Sequence, residues 1–282
     1  MINVNKLSFA YGRKSNLFDN MSFSLPVGSI TGLLGRNGEG KTTLLKLISA
    51  QLLASRSQIN VCGYDPYNRD IDFLSQVYYL PEEVKCPNIT IRKYFNIITP
   101  FYPSYCPEVA EDLIQNFKLD WNMKLGRVSQ GQKKKAVIAL ALSLRVPVLL
   151  MDEPTNGLDI PSKSAFRKLM ARYITDEQIV IISTHQVRDL EQLIDRILMM
   201  DENSIICNES IGRLSNLFSF KQTHAGEAMQ PLYTESSILG NVGVYENKVE
   251  DETPFSMELF FNGMIANREK FLRIINNYEI QK

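Results

Sequence analysis

The sequence predicts an α/β fold built around a mixed, mainly parallel sheet, and three observations carry that prediction. Residues 30–34, 147–151 and 178–182 are short, nearly continuous apolar runs of the kind that form strands buried on both faces. Helical spacing of apolar residues occupies the chain between them, as right-handed crossovers between parallel strands require. Each run ends in a polar cluster: a glycine-rich segment at 35–42, Asp152 with Glu153, and Ser183 through His185. Ligands of such sheets gather at the carboxyl ends of the strands, so the three clusters are expected to meet at one site.

The elements follow in order. Residues 4–9 and 21–25 alternate apolar with polar, which predicts an antiparallel, half-buried β subdomain at the N-terminus. A Pro-Val-Gly turn at 26–28 leads into the first buried strand. After the glycine-rich segment, Leu44, Leu45, Ile48 and Leu52 recur at helical spacing. From about 85 to 145 the pattern is helical, at 91–98, 107–117 and 130–144, forming an inserted helical subdomain. Pro107 suits a first helical position, with Glu108 and Glu111 in the favourable first turn. Short strands return at 197–200 and 205–207 around a turn. Beyond about 220 the composition shifts: 223–243 reads as loop, 246–252 as an acidic run and 257–275 as amphipathic helix. We therefore divide the chain into a main domain, 1–220, and a small C-terminal accessory region, 221–282. No internal repeat is present.

Composition narrows the function. A length of 282 residues allows one or two domains, and 44% hydrophobic with 22% charged residues excludes wholesale disorder. Thirty-one basic residues balance 31 acidic ones, which argues against a nucleic-acid binder working by phosphate neutralisation. Cys62, Cys86, Cys106 and Cys207 form no CxxC pair and only two histidines accompany them, so neither a zinc site nor a disulfide framework is expected. The first residues lack a signal-peptide core. The most apolar stretch, 136–151, is broken by Arg145 and Pro147 and falls short of the ~20 apolar residues of a membrane span. The expectation is a soluble, cytosolic chain without direct membrane insertion, touching a membrane only through a partner.

The chemistry lies in Gly35-x4-Gly40-Lys41-Thr42, which fits GxxxxGK[ST]. Gly35, Gly38 and Gly40 let the backbone curl so that successive N–H groups face phosphate oxygens, and the helix N-terminus adds its partial positive charge. Lys41 supplies a mobile cation for the terminal phosphates, and the Thr42 hydroxyl suits Mg²⁺. Asp152 is placed to hold Mg²⁺, and Glu153 to polarise an attacking water. A glycine turn before a helix and a pair of helix-start acids are the plainer readings, and their joint placement at strand ends favours the functional ones. Lys133, Lys134 and Lys135 read as the solvated face of a helix, the 101–105 aromatic cluster as inter-helix packing, and His224 as an ordinary loop residue.

These motifs resemble, in order and over residues 1 to about 215, the ATP-binding subunits of ABC transporters, whose P-loop NTPase fold is then expected here. Residues 35–43 are similar to the Walker A loop, so the resemblance implies nucleotide contacts from Arg36, Asn37, Glu39 and Thr43 besides the glycines, Lys41 and Thr42. Tyr11 sits where the family stacks an aromatic on adenine; packing on the sheet is the plainer alternative. Residues 148–153 are similar to Walker B with its catalytic glutamate, 157–159 to the D-loop with Asp159, and His185 to the switch histidine. Ser129, Gln130, Gly131 and Gln132 resemble the signature motif. There Val128 and Gln130 depart from the family's Leu and Gly, while Ser129 is also a good N-cap for the following helix. The family's Mg²⁺-linked glutamine falls near Pro81, and Glu82 occupies its place, a carboxylate able to ligate the metal but adding negative charge beside the γ-phosphate.

The resemblance implies an ATP-hydrolysing motor with Lys41, Glu153 and His185 as catalytic residues. It implies a homodimer, or a heterodimer with a related ATPase, closing over Mg-ATP, and a separate transmembrane permease, with export as the direction. A soluble ABC-type ATPase switch in an assembly complex, such as an iron–sulfur cluster scaffold, is the alternative. A nucleotide sensor with little turnover is disfavoured by the presence of Glu153 and His185.

Overall fold

The computed structural model describes residues 1–12, 16–223, 230–237, 240–247 and 252–280. Strands β1 (Ile2–Phe9) and β2 (Phe18–Leu25) pair antiparallel. In β2 burial alternates, with Phe18, Met21, Phe23 and Leu25 turned to the core. Strand β3 (Ser29–Leu34) leads through the glycine-rich loop into helix α1 (Lys41–Ile48). Strand β4 (Ile59–Val61) returns to the far edge of β1, giving a three-stranded N-terminal sheet in the order β2-β1-β4.

The short helix α2 (Ile71–Leu74) and strand β5 (Val77–Leu80) precede the inserted helices α3 (Ile91–Ile98), α4 (Pro107–Asn116) and α5 (Gln130–Ser143). Pro107 takes the first helical position of α4. Helix α5 is buried on almost every side from Ala136 to Ser143, because it crosses between the inserted helices and the central sheet. Strand β6 (Val148–Asp152), helix α6 (Ile160–Tyr173), strand β7 (Ile179–Thr184), and the hairpin β8 (Arg196–Asp201) and β9 (Ser204–Ser210) complete the main domain. The central sheet has the order β5-β6-β7-β3-β8-β9, parallel throughout except for β9. Strands β6 and β7 are buried at every position, as their unbroken apolar runs predict.

Helix α7 (Ile211–Leu217) leads to strand β10 (Phe218–Gln222), which pairs with β12 (Gly240–Glu246), and β12 pairs with β11 (Tyr233–Ser237). The loop expected over 223–243 is therefore corrected: within its described residues, β11 and most of β12 form two strands of a third sheet. Polar residues such as Thr234, Glu235 and Asn241 hide them: Val244 and Tyr245, on opposite faces of β12, are fully buried, while Thr234 of β11 and the Gly240–Asn241 end of β12 are exposed. The amphipathic stretch divides into α8 (Met257–Ala266) and α9 (Arg268–Ile280). His224 and positions 248–251 of the acidic run lie outside the described residues. No described helix is long and apolar enough to cross a membrane.

Candidate functional site

The site forms where β3, β6 and β7 end side by side. Helix α1 starts at Lys41, and Gly40 before it holds φ of 92°. A Cβ there would lie 2.7 Å from the Phe18 ring, so both backbone and packing demand glycine. Lys41 is buried, and its Nζ donates to the carbonyls of Gly35 at 2.6 Å and Arg36 at 3.0 Å, spanning the mouth of the loop. Burial lowers its pKa, against the opposing pull of Glu153, Asp152, Glu39 and Glu82.

Asp152 closes β6 and is almost fully buried. Its Oδ2 accepts from the Thr42 hydroxyl at 2.7 Å and the Tyr79 hydroxyl at 3.1 Å, and its Oδ1 accepts from the Ser183 hydroxyl. Three hydroxyl donors thus converge on one carboxylate. Burial and the neighbouring Asp152 charge in turn push the Tyr79 phenol up. Glu153 follows in the left-handed region at φ 45°, a conformation that costs a non-glycine residue on the order of 1–3 kcal/mol. Its N–H donates to the Ser183 carbonyl at 3.1 Å, which turns the carboxylate off the strand toward His185. There Glu153 Oε1 accepts from the His185 backbone N–H at 3.0 Å and lies 2.7 Å from His185 Nδ1.

A cavity of about 440 Å³ opens above these groups, lined by Tyr11, Asn37, Gly38, Gly40, Lys41, Thr42, Thr43, Glu82, Asp152 and Glu153. Tyr11 stands half exposed at its rim, its hydroxyl 2.9 Å from Thr43 Oγ1 and its ring edge-on to Phe9. Gly35, Arg36, Asn37 and His185 line a second cavity of about 590 Å³, whose far wall is Glu258, Phe261 and Asn262 of α8. The Glu39 side chain takes another course: its Oε2 accepts from Asn203 N–H at 2.7 Å, tying the loop to the β8–β9 turn and leaving only its backbone for a ligand.

Ser129, Gln130, Gly131 and Gln132 lie outside both cavities. The Ser129 hydroxyl accepts from Gln132 N–H, and the Gln132 side chain accepts from Ser129 N–H, each at 3.2 Å, so a complete capping box opens α5. Gly131 lies beside the Gly157 carbonyl, which puts the signature-like segment next to Asp159, the N-cap of α6.

One expectation from the sequence needs correcting. Lys134 is not on a solvated face: it is 4% exposed, and its Nζ donates to the carbonyls of Glu82 at 2.7 Å and Pro81 at 3.4 Å. Tyr102 packs edge-on against Tyr78 as inter-helix packing predicts, whereas Phe101 is 71% exposed. Tyr79, Lys134 and Asn156, whose amide donates to Glu82 Oε1 at 2.9 Å, were not singled out as site residues from sequence. The strand order that puts Tyr79 beside Asp152 is a tertiary fact with no local signature.

A glycine loop between a parallel strand and a helix, a lysine across its mouth and two carboxylates at the next strand ends define a P-loop nucleotide-binding protein. The profile of the family described as "ABC transporter" matches residues 18–156. The chain is 29% identical over 209 residues to the ABC transporter ATP-binding protein YtrB of Bacillus subtilis, covering 73% of this chain and 70% of that one. It is also 29% identical over 198 residues to the Nod factor export ATP-binding protein I of Burkholderia orbicola, covering 68% of this chain and 65% of that one. A dimeric ATP-binding cassette in a post-hydrolysis state, bound to ADP and Pi, shares the fold with a TM-score of 0.64 at 19% identity, over 75% of this chain and 99% of the other. The chain thus carries the ATP-binding ATPase domain of the ABC transporter family.

Proposed function

We propose that this chain is the ATP-hydrolysing motor subunit of an exporter, pairing with a second ATPase subunit around Mg-ATP and driving a separate transmembrane permease from the cytoplasmic face. The observation that carries the reading is the division of the nucleotide machinery. Lys41, Thr42, Asp152, Glu153 and His185 converge at adjacent strand ends, while Ser129 to Gln132 lie on a surface apart from them. A chain built this way offers half of each of two sites, which are completed when two chains face each other.

In this reading the loop N–H groups and Lys41 receive the phosphates, Lys41 exchanging its two carbonyl partners for phosphate oxygens. Tyr11 packs against the base. Glu153 accepts the proton of the attacking water, and His185, already on its carboxylate, holds that carboxylate in place and contacts the γ-phosphate. The Thr42 hydroxyl with the carboxylates of Asp152 and Glu82 forms a set of hard oxygen donors suited to Mg²⁺. Mg²⁺ supplies charge neutralisation on the phosphates when bound. Ser129 and Gly131, at the N-terminus of α5, serve the partner's nucleotide. The similarity to an export ATP-binding protein supports the direction of transport. A groove of about 400 Å³ lined by Leu74, Tyr78 and Tyr102, with Ile71 and Phe101 exposed on the segments that form it, supports a permease contact. The accessory region, placed at 221–282 from composition, we assign to the unit of the third sheet with α8 and α9, which begins at β10.

Lys41→Ala is expected to abolish phosphate release and ATP-driven pairing. Glu153→Gln is expected to lower turnover by at least a hundredfold while retaining ATP-driven pairing, followed by phosphate assay and sedimentation. Wild-type turnover and pairing in Lys41→Ala would refute the reading.

A further inference from the structure

A buried cation in the first turns of the signature helix holds the one position where the nucleotide cavity carries an extra carboxylate. Lys134 lies on α5, one turn after Gln130, and only 4% of it is exposed. Its Nζ donates to the backbone carbonyls of Glu82 and Pro81, from a chain segment 52 residues away. On the other side, the Asn156 amide donates to Glu82 Oε1 at 2.9 Å, and Asn156 N–H donates to the Glu153 carbonyl at 3.2 Å. Glu82 is therefore gripped through its backbone by the helix that carries Ser129 and Gly131, and through its side chain by the turn that follows Glu153. The carboxylates whose charges reach Lys134 are Glu82, Asp152 and Glu153, all three on the wall of the nucleotide cavity.

Burying an ammonium group is costly unless it is hydrogen-bonded and meets opposite charge. Lys134 is kept in the core where its two acceptors are main-chain oxygens, which place it, and its charge faces a cavity with three acidic side chains. An unbalanced third carboxylate beside a polyphosphate would oppose binding by like-charge repulsion.

We propose that Lys134 is a positioning residue for the ATPase reaction: it offsets the charge that Glu82 brings to the nucleotide cavity and locks Glu82 to the helix that serves the partner's nucleotide. This rests on the reading of that cavity as the ATP site. It makes one side chain the physical link between the chain's own nucleotide and the signature segment it offers across the dimer.

The test is a double-mutant cycle between Lys134→Met and Glu82→Gln on the full chain, with thermal melting to establish folding. Binding of a fluorescent ATP analogue is titrated without Mg²⁺, so that the response of the site to bare negative charge is read apart from turnover. Lys134→Met is expected to weaken Mg²⁺-free binding about tenfold and Glu82→Gln alone to tighten it at least threefold, whereas the double variant is expected to bind at least as tightly as wild type, since independent effects would leave it about threefold weaker. With Mg²⁺, Lys134→Met is expected to lower kcat at least tenfold with KM changed less than threefold. A purely structural lysine would lower the melting temperature without any rescue by Glu82→Gln, and that result overturns the proposal. Should Lys134→Met fail to fold, unchanged Mg²⁺-free binding in Glu82→Gln overturns it equally. Lys41→Ala separates the two readings. If it binds nucleotide as wild type does, the site assignment has failed; if it loses binding while the Lys134–Glu82 cycle shows no coupling, only the present inference has.

Discussion

Cys207 illustrates how burial alone sets the behaviour of a single group. It lies in β9, 6% exposed, and loss of hydration pushes its thiol up to about 12. Cys62 and Cys106 are only partly buried, as is Cys86, whose pKa is also raised by burial. Thiol reagents attack the thiolate. At pH 8 Cys86 is therefore expected to label slowly and Cys207 only on unfolding, as mass spectrometry of a labelling time course would record. Fast labelling of Cys207 in folded protein would contradict its placement. The linkage has a definite sign. Below the ordinary thiol pKa of 9.0 both folded and unfolded chains carry the neutral group; between that value and about 12 only the unfolded chain ionises, so this group costs the fold stability as pH rises through that window. The same residue scale shows what a sequence can reveal of the candidate site. The glycines, Lys41 and Thr42 are legible because their spacing is local, and Asp152, Glu153 and His185 because each ends an apolar run. Lys134 is not legible: within Lys-Lys-Lys it resembles its solvated neighbours, and only the approach of Pro81 and Glu82 from another element buries it.

At the scale of elements, α5 shows how an end can matter more than a length. Its run from Ala136 to Ser143 is apolar on nearly every side, so packing holds the body of the helix, while its N-terminus depends on the capping box of Ser129 and Gln132. Ser129→Ala is expected to destabilise the protein by about 1 kcal/mol, and Ser129→Gly by only a few tenths, because glycine tolerates the cap conformation and leaves the N–H groups open to water. Urea unfolding midpoints measure the difference; equal effects from the two substitutions would mean that the cap contributes nothing. Both variants are expected to lose the contribution to the partner's nucleotide under the proposed function. The legibility of elements follows their burial. Strands β3, β6 and β7 are covered on both faces and read as apolar runs, whereas β11 and the start of β12 are only partly covered, carry Thr234, Glu235 and Asn241, and resemble loop. A strand whose stability comes from its neighbours leaves little trace in its own residues.

On the scale of the whole molecule, the third sheet and its helices are bound to the main domain by a shared core. Phe218, Phe260 and Phe271 cluster with ring centroids 5.2 to 5.8 Å apart, and they belong to the same continuous hydrophobic cluster as Val180, Ile197 and Leu190 of the main domain. Polar contacts join at the edge: Arg188, in the 3-10 turn after His185, pairs with Glu258 of α8, Met257 N–H donates to Glu191 Oε1 at 2.6 Å, and Arg213 donates to the Ile275 carbonyl at 3.0 Å. Their relative weights can be predicted. The Arg188 side chain is 82% exposed, so its pair with Glu258 is screened by water and Arg188→Ala is expected to shift the unfolding midpoint little. Phe260 is fully buried against the other two rings, and Phe260→Ala is expected to cost roughly 3–5 kcal/mol by loss of apolar burial and the cavity left behind. Denaturant unfolding of the two variants decides the order. If the surface pair proves the costlier loss, the accessory unit is held by its edge contacts. If Phe260→Ala is the costlier and the unfolding remains a single transition, the two parts share one core. The α8 residues that wall the cavity beside His185 would then be fixed relative to the nucleotide site by that packing, with the ion pair contributing little to their position.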